Sequence, residues 1–294
     1  MLESIDIAFV VLHYLTIDDT IECVESIRKK MTDCTYRVIV VDNSSSNGSG
    51  EKLTRLYEAI PEIHVLLNEE NLGFARGNNV GFRYAKQNYD CKFIAMINND
   101  TLILQEDFFQ QVDEEYNHSH FALLGPMIMT ADGKCDCTPV SEIPLDRNYI
   151  IKRLKEEEYR TKLINVGLPN PVTALKRVKM ILTGAEPARE KKDYIHRREN
   201  VRIHGSFMIF GKPFIDNFEG LNEETFLYHE EEILYVQLMA GGYKTVYLPT
   251  LQIFHKEDSA TNAIGRKRKD AKRFAYQCST ESCKVLLRIY DELH

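Results

Sequence analysis

No stretch of this chain approaches the roughly 20 consecutive apolar residues that a membrane-spanning helix requires, so a span is not expected. The start from Met1 to Val11 carries acids where a signal peptide would carry basic residues, which points to a cytoplasmic protein. An excess of positive charge is also missing. A net charge of -7 argues against general nucleic-acid binding. Seven cysteines, an odd number scattered along the chain, do not form a disulfide framework. Cys135 with Cys137, and Cys278 with Cys283, lack the spacing of a zinc knuckle, so reduced thiols are expected. No internal repeat is visible.

Ordinary soluble composition remains, with 44% hydrophobic and 28% charged residues in 294. That length suits one large α/β domain, or a domain carrying an insertion. Short apolar runs rich in β-branched residues read as buried strands: Ile7 to Leu12, Arg37 to Val41, Ile63 to Leu67, Phe93 to Ile97 and Ala122 to Met129. Helical periodicity fills the gaps, at Asp18 to Lys30, Glu51 to Ala59, Val80 to Gln87 and Glu106 to Tyr116. Strand, helix, strand in succession gives right-handed crossovers, which place Asp42 and Asp100 beyond the same edge of the sheet, where open α/β sheets bind ligands.

Asn98, Asn99 and Asp100 end the fourth strand. Such residues also end strands simply because they make turns, but a carboxylate there is well placed to hold a divalent cation, and the cation a diphosphate. Residues Asn68 to Asn79 are dense in Asn and Gly and lead into a helix. A helix start offers N–H groups to an anion, and Arg76 adds a guanidinium.

From Thr130 to Asn200 the alternation stops, and a charged helix at Tyr149 to Leu163 and a loop at Gly167 to Pro171 suggest an inserted, variable region. Regular structure resumes with a strand at His204 to Phe210, where Gly205 allows close approach of the backbone. Glu230, Glu231 and Glu232 open a helix at Ile233 to Met239, complementing its dipole. Strands at Tyr243 to Leu248 and Leu251 to Phe254 follow, and His255 ends the second. The tail holds a basic cluster, Arg266 to Arg273, suited to an anionic lipid surface or equally to solvent. Beyond it runs an amphipathic helix whose apolar face, Val285, Leu286 and Ile289, offers an oligomer interface.

The stretches VIVVDNSSSNGSG (38–50), NEENLGFARGNNVGFRYA (68–85), INNDT (97–101), HGSFMIFGKPF (204–214), FEGLNEETFLYHEEEILYVQLMAGGYKTVYLP (218–249) and IFH (253–255) occur in one order over most of the chain. Together they resemble the inverting nucleotide-sugar glycosyltransferases of family 2 with the GT-A fold, in particular bacterial rhamnosyltransferase-like members. The resemblance implies a Rossmann-like, mostly parallel sheet flanked by helices. A nucleotide-sugar half would cover 1–129, the inserted region 130–200, an acceptor-side half 201–260, and a basic segment with a helix 261–294.

It also implies roles. Asp42 would bind the pyrimidine ring of the nucleotide, and Arg76 would face the nucleotide or its diphosphate. Asn98, Asn99 and Asp100 match the Asp-x-Asp position, with Asn in place of the first acid. Asp100 and His255 would approach a divalent metal, Mn²⁺ or Mg²⁺. Gly205 and Ser206 would border the donor and acceptor pocket. Glu230 and Glu231 match a Glu-Asp pair whose second member is the base; Glu231 is the expected base, with one residue of uncertainty across 230–232. The implied partners are a UDP- or dTDP-sugar and a glycan or lipid-linked acceptor at the inner face of a membrane. A nucleotidyltransferase would show a Gly- and Lys-rich phosphate loop after Leu12, which is missing; a binding module without catalysis would have no need of Asp100, His255 and Glu231 together.

Overall fold

The computed structural model describes residues 2–133, 135, 137–141, 144–168, 193–256 and 268–294. A nine-stranded sheet runs in the order β3-β2-β1-β4-β8-β6-β9-β5, with β7 paired to β9. Its strands are β1 Glu3–His13, β2 Tyr36–Asp42, β3 Ile63–Leu67, β4 Tyr89–Asn98, β5 Thr101–Ile103, β6 Leu123–Thr130, β7 Arg198–Glu199, β8 Phe207–Phe210 and β9 Thr245–His255. The neighbours β3, β2, β1 and β4 are all parallel, as the strand-helix-strand pattern requires, and β8 and β5 enter antiparallel. The sheet is thus mixed, with a parallel half where the chain alternates strand and helix.

Helices cover both faces: α1 Ile17–Lys30, α2 Ser49–Tyr57, α3 Gly73–Asn88, α4 Phe108–Ser119, α5 Arg147–Asn165, the single turn α6 Lys212–Ile215, α7 Glu230–Ala240 and α8 Arg268–Leu293. The strands Ile7 to Val11 and Val38 to Val41 are completely buried between them, each such aliphatic side chain contributing about 1.5–3 kcal/mol by leaving water. On one face a run of rings joins α3 to β8 and α6. Phe82 meets Phe210 edge-on at 5.8 Å, Phe210 stacks on Phe214 at 4.3 Å, and Phe214 on Phe218 at 4.5 Å.

Several expectations need correction. Helix α3 begins at Gly73 instead of Val80, so Arg76 lies inside its first turn. The Asn43 side chain makes this start stable. Its oxygen accepts from Leu72 N at 3.0 Å and its amide donates to the Gly73 carbonyl at 3.0 Å, giving the Gly- and Asn-rich stretch tertiary partners that a loop would lack. The two late strands are one continuous strand, β9, whose pairing with β6 shifts register between Pro126 and Met127. The strand expected from His204 begins at Phe207.

The tail helix does not leave an apolar face exposed. Leu286 and Ile289 are buried with Cys283 against Ile150 of α5 and Ile233 and Val236 of α7, with Val285 packed beside them. The inserted region's helix therefore occupies the surface expected to serve as an oligomer interface. Arg266 and Lys267 of the basic cluster, and residues 169–171 of the loop, lie outside the described residues; Arg273 donates to Asn165 at the end of α5 at 2.7 Å. Among the described residues no helix is long and apolar enough to cross a membrane.

Candidate active site

The strand ends β1, β2, β4 and β9 deliver their last residues to one edge, and the start of α1 gathers three of them. Thr20 donates to the Thr16 carbonyl, accepts from the Asn99 amide at 2.9 Å, and lies 2.6 Å from His13 Nδ1. His13 Nε2 lies 2.7 Å from the Ser49 hydroxyl, so a neutral imidazole, with one donor and one acceptor nitrogen, serves both contacts. Burial agrees, lowering the His13 pKa against the opposing pull of Asp42. Lys256, just past β9, is held to Asp19 and Glu22 of α1 at 2.8 and 2.6 Å.

Asp42 has one committed oxygen and one open one. Oδ2 accepts from Ser45 N at 3.1 Å. Oδ1 is 3.7 Å from His13 Nε2 and is buried without a hydrogen-bond partner. A buried acceptor of this kind is costly unless a ligand supplies the donor. Arg76 is exposed on the first turn of α3.

The backbone of Asn98 and the side chain of Asn99 serve the frame. Asn98 N donates to the Ser206 carbonyl at 2.9 Å, extending the β4–β8 pairing. The Asn99 amide is spent on Thr16 and Thr20. Asp100 is the acid left facing the edge. Thr101 pairs with His255 and Lys256 N donates to the Asp100 carbonyl, so strand register alone sets Asp100 Oδ1 3.1 Å from His255 Nε2. One carboxylate and one imidazole, side by side at strand ends, are a fitting pair of donors for Mn²⁺ or Mg²⁺, the imidazole favouring the softer ion.

The ring of His204 lies 6.1 Å from that of His255, and His204 Nδ1 is 2.9 Å from the Ser206 hydroxyl. Between them Gly205 N donates to Glu231 Oε1 at 3.2 Å. A Cβ at position 205 would sit 2.8 Å from that same oxygen, so the glycine admits the carboxylate as much as any ligand. Helix α7 delivers Glu231 half-buried, with Glu230 and Glu232 buried beside it. Burial, and then the negative charge of Glu232, raise the Glu231 pKa. Burial and the neighbouring Glu231 push Glu230 up to about 7, with Oε1 unpartnered.

Glu232 belongs to a different network. Burial opposes its charge, but His229 and the Arg153 guanidinium outweigh it and bring its pKa down to about 2. His229, likewise disfavoured by burial as a cation, is raised to about 9 by Glu157 and Glu232. Sequence reasoning missed Arg153, Glu157 and His229 here, and missed the frame roles of His13, Asn43 and His204. His13 at a strand exit and His229 before the acidic run were the available signals. Glu157, His229 and Cys283 also present donor atoms within 4.8 Å of one another. A cation is not needed there, because Arg153 already neutralises the acids and burial pushes the Cys283 thiol up to about 12.

Comparison with known proteins agrees with this layout. The family model described as "Glycosyl transferase family 2" matches residues 9–181. The low-salt glycan biosynthesis hexosyltransferase Agl10 of Haloferax volcanii is 24% identical over 194 residues, 66% of this chain and 50% of that protein. Glycosyltransferase GlyG of Streptococcus pneumoniae serotype 4 is 32% identical over 112 residues, 37% of this chain and 36% of the relative. The chain thus spans half or less of the curated relatives it matches. Among solved structures, S. aureus TarS 1-349 in complex with UDP-GlcNAc superposes with a TM-score of 0.54 at 14% identity, over 89% of this chain and 61% of that one. The mixed α/β sheet is therefore that of the GT-A fold expected from the sequence, and with 9–181 matched by the family model, the chain belongs to glycosyl transferase family 2.

Proposed function

We propose that this chain is an inverting glycosyltransferase that moves a sugar from a UDP- or dTDP-sugar to a hydroxyl of a surface-glycan acceptor, lipid-linked at the inner face of a membrane. One observation carries the reading: a two-donor pair, Asp100 with His255, and a raised, half-buried carboxylate, Glu231, share one sheet edge, linked through His204 and Gly205. The hexosyltransferase and glycan-biosynthesis relatives and the UDP-GlcNAc complex of a structural neighbour support the same class.

In this reading the open oxygen of Asp42 accepts from a ring N–H of the pyrimidine, and Arg76 lies toward the diphosphate. Asp100 and His255 hold the divalent cation, which when bound supplies Lewis-acid stabilisation of the diphosphate leaving group. Glu231 takes the proton of the acceptor hydroxyl as that oxygen attacks the anomeric carbon, on the face opposite the departing diphosphate. The sugar passes through an oxocarbenium-like state, and one displacement inverts the anomeric centre. Burial suits Glu231 to the task, because a raised pKa makes a carboxylate a stronger base near neutral pH.

The test is release of nucleoside diphosphate from a panel of UDP-, dTDP- and GDP-sugars with Mn²⁺, Mg²⁺ or EDTA. Metal-dependent release from a UDP- or dTDP-sugar, slow with water and faster with an acceptor glycan, is the expected result. No release together with no binding of UDP or dTDP would overturn the proposal.

A further inference from the structure

The start of α7 is strained. Tyr228 and His229 both lie in the left-handed region, at φ 74° and 68°, a conformation unfavourable for a non-glycine residue. His229 is also the residue whose carbonyl accepts the first helical hydrogen bond, from Ile233 N at 3.0 Å. Relaxation of this turn would rotate the next two residues, Glu230 and Glu231, away from Gly205.

What holds the turn comes from outside the helix. His229 is 2% exposed, its Nδ1 2.8 Å from Glu232 Oε2 and its Nε2 3.3 Å from Glu157 of α5. Arg153, one helical turn before Glu157, bridges the two acids: its Nε donates to Glu157 at 3.3 Å and its Nη1 to Glu232. Ser279 of α8 lies 3.3 Å from His229 Nε2. Two acids and two cations thus balance in one buried cluster, where removing a single partner leaves an uncompensated charge.

We propose that Arg153 and Glu157, on the helix of the inserted region, are positioning residues for Glu231, acting through His229 and Glu232 to fix the left-handed turn that aims the base at Gly205. This rests on the reading of Glu231 as the base. Helix α5 would then do more than border an acceptor. It completes the base's support, and Glu232, kept ionised by Arg153 and His229, stands next to Glu231 as a fixed negative charge that raises its basicity.

The experiment compares the full chain with Arg153→Met, Arg153→Lys and Glu157→Gln, measuring diphosphate release from the active donor, UDP or dTDP affinity, and thermal unfolding. The Met variant should lose about 10- to 100-fold in kcat, the scale of a base displaced by an ångström. KM for donor and nucleotide affinity should stay within about twofold, since uniform binding is untouched. Lys should restore a good part of kcat, and Glu157→Gln, which keeps shape and loses charge, should fall about tenfold while remaining folded. Wild-type kcat per folded molecule in both Met and Gln variants would overturn the positioning role alone. A wild-type chain that neither releases diphosphate from any donor nor binds UDP or dTDP would instead overturn the proposed function, and this inference with it.

Discussion

The acid at Asp100 and the acid at Glu231 are held at their places by opposite means. Asp100 is fixed by backbone: Thr101 pairs with His255, Lys256 N bonds the Asp100 carbonyl, and the carboxylate has only to follow its strand. Glu231 is fixed by side chains from three helices and by a turn in a left-handed conformation. A site held by ladder register tolerates changes around it and fails only when its own donors go. A site held by a buried charge cluster fails when distant residues change. In the proposed mechanism the first suits a metal pair that must present two atoms at constant separation, and the second suits a base whose charge must be tuned.

Cutting the register-held region should have the largest effect. Asp100→Ala removes one of two metal donors and should lower diphosphate release about 10²–10³-fold, as loss of one stabiliser of developing charge does. Its unfolding midpoint should barely move, because the backbone pairing survives. A Glu231 aimed by its surroundings should also respond to a single methyl group. Gly205→Ala puts a Cβ 2.8 Å from Glu231 Oε1 and should cost about 10- to 100-fold in kcat with nucleotide affinity retained; unchanged kcat would separate Gly205 from the base.

Glu230 gives a smaller, pH-resolved effect. Its carboxyl titrates at about 7, so raising the pH through that value adds a second negative charge beside Glu231. The pH–rate profile should carry an inflection near pH 7 that Glu230→Gln removes, with the rate at pH 6 changed by less than about tenfold. An inflection that persists in the Gln variant would assign it elsewhere.

The smallest effect is on stability. His229 has its pKa raised from 6.5 to about 9 in the folded chain, so its stabilising contribution is complete below pH 6.5 and is lost as pH rises through about 9. The melting temperature should therefore decline across that interval, and His229→Asn, which keeps a residue tolerant of the left-handed turn, should flatten the decline. An equal slope in both proteins would show that the histidine is not held as a cation.

The same contrast explains what the sequence made legible. Asp42, Asp100 and His255 follow runs such as Arg37 to Val41 and Phe93 to Ile97, and parallel pairing carries such strand ends to one edge. Helix α3 begins at Gly73, seven positions before the expected Val80, because glycine and asparagine signal loops unless a distant side chain, here Asn43, satisfies them. Nothing local marks Arg153 or Glu157 as partners of His229 and Glu232, since 72 to 79 residues separate them. The covered face of the tail helix is illegible for the same reason: its cover, Ile150 of α5, belongs to a region with no strand pattern to place it.

The decisive measurement is made on Glu231→Gln, comparing nucleotide-sugar affinity by calorimetry with diphosphate release at saturating donor and acceptor. Affinity should stay within about twofold of wild type while release falls by about 10²–10⁴-fold, the worth of a general base. Release at the wild-type rate from a folded Glu231→Gln protein would contradict that role, and would move the base away from the edge where Gly205 meets α7.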